Sequence, residues 1–148
     1  NDSKSRPMPI SLYGMTKMLE GYGVRYKYVR DFSDSLAKQE IEAHLRTGNP
    51  VIFVVAAKSR KAGAVANKWT SGYHCMTMLG MTDTGKVIVA DSVDRSTKTF
   101  GNNQRIKYAS LGELIGYMFP CTNTTSTSIY WGGKASSGGY ILINPQNQ

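Results

Sequence analysis

Residues 72–94, Gly-Tyr-His-Cys-Met-Thr-Met-Leu-Gly-Met-Thr-Asp-Thr-Gly-Lys-Val-Ile-Val-Ala-Asp-Ser-Val-Asp, leave the chain few ways to fold. Asp83 and Gly85 supply turn chemistry between two apolar stretches, which predicts a β-hairpin. Its first strand spans 73–81, its turn 82–85 and its return strand 86–91. His74 opens the first strand and Asp91 closes the second, and antiparallel pairing brings those two ends together. An imidazole held by a carboxylate is a general base fixed in one tautomer.

The same residues carry a resemblance. Gly-Tyr-His, then Gly80, a turn and Val-Ile-Val-Ala-Asp resembles the histidine and aspartate block of the bacteriocin-processing-peptidase-like branch of the papain-like cysteine peptidases. Ser92 stands where that branch has a proline after the aspartate. The resemblance implies an α+β, papain-like fold, an antiparallel sheet with packed helices. It implies hydrolysis of peptide or amide bonds, with His74 as base and Asp91 as its orienter. Asp94 is a second candidate orienter. The substrates it implies are a leader peptide or a cell-wall stem peptide. The branch carries its nucleophilic cysteine at the start of a helix upstream of the histidine. Nothing in the chain matches it, so the resemblance sets that helix before residue 1 and has the thiol come from an N-terminal segment or a second chain.

The chain has two cysteines, and neither fits that role. Cys75 follows His74 directly, so on a strand its side chain points to the other face. Cys121 comes after the histidine, against the branch's order of residues. Both read as free or buried thiols, and so few cysteines suit a cytosolic protein and a secreted one alike. No metal-ligand spacing joins the two histidines and two cysteines, and no cofactor is expected.

A chain of 148 residues with 41% hydrophobic content supports one globular domain, here residues 11–148, behind a polar, proline-containing flexible end at 1–10. No apolar run is long enough for a membrane span. The net charge of +8 favours an anionic partner. That points to the cell wall with its anionic polymers and to an extracellular or wall-associated place, the cytoplasm being the alternative. Nucleic acid finds no support in a helix-turn-helix or an aromatic platform.

Apolar residues three and four apart predict a helix over 11–20, stopped by Gly21 and Gly23. A strand over 24–29 follows, then a helix over 36–46 with Ala37, Ile41 and Leu45 on one face. His44 reads as a partly exposed helix histidine. Residues 51–57, Val-Ile-Phe-Val-Val-Ala-Ala, form an unbroken apolar run and predict a buried strand. Residues 58–71 are expected to form a surface loop over the site. Trp69 would stack on substrate there, with Lys68 and Tyr73 as further contacts. In a rival, non-catalytic reading, Lys58, Arg60, Lys61, Lys68 and Trp69 make a binding surface for an anionic polymer or protein. A short strand is expected over 105–108. Ser110 and Glu113 have the spacing of a capping box ahead of a helix ending at Tyr117. Residues 129–131 read as a short strand, 132–139 as glycine-rich irregular chain, and 140–143 as a last strand.

Overall fold

The computed structural model describes residues 9–92 and 105–144. Helix α1 spans Leu12–Gly21, strand β1 Tyr26–Val29, helix α2 Asp34–Arg46 and strand β2 Val51–Ala56. The hairpin follows as β3, Tyr73–Met81, and β4, Lys86–Ala90. Strand β5 is Ile106–Ser110, helix α3 Leu111–Tyr117, the single turn α4 Lys134–Ser137, and strand β6 Tyr140–Ile143. The strands form one sheet in the order β1-β6-β2-β3-β4-β5, and every neighbouring pair is antiparallel. The architecture is α+β, consistent with a papain-like fold.

The unbroken apolar run of β2 follows from its central place. Val51, Phe53 and Val55 point into one core, with Ala37, Ile41 and Leu45 of α2 and Leu114 and Ile115 of α3. Val54 and Ala56 point the other way, into a second core with Leu12 of α1, Phe119, Ile141 and Ile143. A strand covered on both faces needs no polar alternation.

Helix α1 is pinned at its start. The Ser11 side chain accepts from the Gly14 N–H at 3.0 Å and donates to the Ser128 carbonyl at 2.7 Å. The Ser11 N–H reaches the Ile129 carbonyl at 3.0 Å, and the Trp131 N–H reaches the Pro9 carbonyl at 2.8 Å. These bonds hold residues 9–12 beside Trp131. At the far end of the chain, Gly132 and Gly133 do not preclude regular structure, because the helical turn α4 forms directly after them. Residues 129–131 make a single bridge, Ile10 to Tyr130, and no strand.

Candidate functional site

Pairing of β3 with β4 sets Thr77 opposite Ala90 and Met78 opposite Val89. Asp91, one residue beyond β4, therefore shares a face with Val89 and Met76, and His74 lies two residues further along that face. His74 Nε2 is 2.6 Å from Asp91 Oδ1. A carboxylate only accepts, so Nε2 carries the proton and the Nδ1 lone pair is left for another partner. The Asp91 N–H is tied to the Arg105 carbonyl at 2.7 Å, which fixes its backbone. Asp94 lies outside the described residues.

Asp91 has a second partner that the sequence does not announce. Lys107 Nζ lies 2.8 Å from Asp91 Oδ2, with the two side chains 0% and 2% exposed. Lys107 pairs with Val89 across β4 and β5, which aims it at the same face. The strand is inverted against its hydrophobicity. Lys107 and Ala109 point inward, while Ile106 and Tyr108 point out. The available signal was parity, since Lys107 and Ala109 keep step with Leu111, which begins a core helix.

His74 lines a cleft of about 480 Å³. The start of α1 forms one wall through Ile10, Ser11 and Leu12, and Tyr73, Cys75 and Trp131 complete it. The Tyr73 and Trp131 rings stack at 4.5 Å between centroids, and Phe119 meets Trp131 edge-on at 6.1 Å. Tyr73 thus lies in the cleft beside His74. The sequence predicts a short strand over 129–131 and gives no sign that Trp131 lines the cleft.

Cys75 lies exposed on the cleft floor. The protein packed around it pushes its thiol up to about 11, so it is protonated at neutral pH. Cys121 is buried, and its thiol donates to the Asn123 carbonyl at 3.4 Å.

The expected contact loop needs correcting. Trp69 is 1% exposed and sits in the core shared by α2 and α3, so no ring face is left for a substrate. Lys68 is ion-paired with Glu113 of α3 and does not line the cleft. Arg60 donates to the Met118 carbonyl at 2.7 Å and the Ile115 carbonyl at 2.6 Å, and pairs with Asp34 at 2.9 Å. Its guanidinium caps the Met118 carbonyl just past α3 and is a second donor to the Ile115 carbonyl, which also accepts from the Met118 N–H at 3.1 Å. The 58–71 segment therefore fastens α3 to the sheet and does not cover the histidine.

The model of the Peptidase_C39 like family matches residues 8–114. The chain belongs to the Peptidase_C39 like family. It is accordingly a domain of papain-like peptidase kinship, and the match takes in α1, the hairpin and β5. The resemblance sets the thiol-bearing helix before residue 1, whereas the matched region already contains a helix whose start lines the His74 cleft. No curated protein matches the chain. No solved structure matches it either.

Proposed function

We propose that this domain binds a peptide along the His74 cleft and acts there on a peptide or amide bond, as a cysteine-peptidase-type hydrolase. The observation that carries the reading is the 2.6 Å contact between His74 Nε2 and Asp91 Oδ1 at the edge of a cleft. In this scheme His74 Nδ1 takes the proton of a thiol, and Asp91 orients the ring and stabilises the imidazolium. The thiolate adds to the carbonyl carbon, and the imidazolium returns the proton to the leaving amine. Water, deprotonated by His74, then releases the acyl group from sulfur. Cys75 does not supply that thiol, since it is next to His74 in the chain and stays protonated; the thiol comes from a segment or partner chain beyond these residues. Substrate classes in keeping with the kinship are a leader peptide and a cell-wall stem peptide. The charge of +8 favours work beside an anionic wall polymer, outside the cell.

A second reading, a peptide binder without turnover, is favoured by one observation. The start of α1 already faces the cleft with Ile10, Ser11 and Leu12, none of which carries a thiol. One assay separates the two. The full-length protein and its His74→Ala variant are given stem and leader peptides, with and without a thiol-alkylating reagent. The hydrolase reading expects turnover that both the variant and the reagent abolish. Binding with no turnover by any form establishes the second reading, and equal turnover by both proteins removes His74 from the mechanism.

A further inference from the structure

The His74 cleft is one of three depressions in a row. It shares Ile10 with a shallower one beside α1 that reaches Met18, Ile129 and Tyr130. On its other side it shares Met15 and Cys75 with a third that reaches Thr77, Ser92 and Ile106. The three adjoin at those residues into a groove of separate sections, with His74 lining the middle one and Asp91 the third.

The lining is apolar where it is deepest. Ile10, Leu12, Met15, Val54, Tyr73 and Trp131 form most of the middle section. Its polar groups are already committed: Ser11 caps α1, and the Cys75 thiol is neutral. His74 is held by Asp91, and among the described residues no lysine, arginine or carboxylate lines this section. A charged side chain entering it would lose water and find no counter-charge. An apolar one would gain by leaving water, and an aromatic one would also meet the Tyr73 and Trp131 rings. The volume, about 480 Å³, exceeds that of one large side chain. The rim is apolar too. Ile10, Ile129 and Tyr130 at one end and Tyr73 in the middle section are 44% to 49% exposed, the kind of patch that marks a binding surface.

We infer that the groove takes an extended peptide with a bulky apolar or aromatic side chain seated against the paired Tyr73 and Trp131 rings, next to the bond presented to His74. The occupant is a neutral stretch of peptide and not the anionic polymer that net charge alone suggests. The inference rests on the peptide-cleft reading above and narrows its substrate class to the leader-type peptide, because a stem peptide offers only small and charged side chains. Trp131, together with Tyr73, is the specificity-determining residue.

The test is binding, which needs no turnover. Blocked hexapeptides of glycine with one variable residue, Phe, Leu, Ala, Glu or Lys, are titrated into the full chain by calorimetry. Burying one such side chain predicts binding about tenfold tighter for Phe and Leu than for Ala. Glu and Lys bind no better than Ala. Trp131→Ala erases the preference and Trp131→Phe keeps it. A methanethiosulfonate label on Cys75, which lies on the groove floor while Cys121 is buried, blocks the Phe peptide. Equal affinity across the series, a preference for Glu, or an apolar preference that survives both Trp131→Ala and the label overturns the inference. So does concentration-dependent dimerisation that Trp131→Ala abolishes while no peptide binds, since the groove then seats a second copy of the chain. Apolar preference without cleavage refutes the hydrolase reading alone, and cleavage indifferent to the variable residue refutes this inference alone.

Discussion

Replacing Lys107 by Met removes a buried ammonium and leaves its partner behind. The Asp91 carboxylate is 2% exposed and divides its oxygens between His74 at 2.6 Å and Lys107 at 2.8 Å. Breaking a buried pair by deleting one member costs about 3–5 kcal/mol in general, because an uncompensated charge stays inside. His74 still holds one oxygen, which puts Lys107→Met at about 3 kcal/mol, the lower end of that range. For a domain of this size each kcal/mol moves Tm by about 2–4 °C, so a fall of about 6–12 °C is expected. Urea unfolding followed by circular dichroism measures the free energy, and an unchanged m-value keeps the comparison sound. The double variant Lys107→Met, Asp91→Leu is the sharper arm. Removing both charges leaves neither stranded, so the double variant loses less stability than the two single losses added together. A loss below about 1 kcal/mol for Lys107→Met, or strict additivity in the double variant, refutes the reasoning.

Two further outcomes follow from single residues. The Cys75 thiol, lifted from 9.0 to about 11, holds about 100-fold less thiolate at pH 7 than an unperturbed thiol, and its alkylation by iodoacetamide is slowed in proportion. Because the fold favours the protonated form, this group leaves stability unchanged below pH 9 and lowers it as pH rises through about 11; a rate at pH 7 equal to that of the urea-unfolded chain contradicts this. Gly139 has φ +97°, and a Cβ there would sit 2.3 Å from the Val29 carbonyl oxygen. Gly139→Ala therefore costs more than the roughly 1–2 kcal/mol of left-handed backbone alone. Gly133→Ala, at φ +102° and ψ 169° with open space around it, costs only its backbone strain, roughly 1–3 kcal/mol. Equal unfolding free energies for the two variants sink the steric argument.

The hairpin, the buried strand and the α3 cap were legible in the sequence because each is a local rule. The turn at residues 82–85 closes with Gly85 at φ +85°, β2 lies centrally, and Ser110 accepts from the Glu113 N–H at 3.1 Å. The approach of His74 to Asp91 was legible for the same reason, since a hairpin's register is a local property. What was not legible depends on tertiary packing. Trp69 sits in a segment whose composition reads as exposed loop, yet Arg60 and Lys68 anchor that segment to α3 and draw the indole into the core. Lys107 is charged and still points inward, because Asp91 is there to receive it. Trp131 reaches the cleft only because Pro9 and Ile129 tie distant parts of the chain together.

The proposed chemistry depends on the state of one ring. Long-range nitrogen–proton correlation spectra of the histidines, compared between the full chain and its Asp91→Asn variant, read that state directly. A protonated Nε2 and an unprotonated Nδ1 at His74, altered when the carboxylate becomes an amide, are the predicted result. A proton on Nδ1 in the unaltered protein, or a His74 signal indifferent to Asp91→Asn, contradicts the base-and-orienter pair on which the proposed chemistry stands.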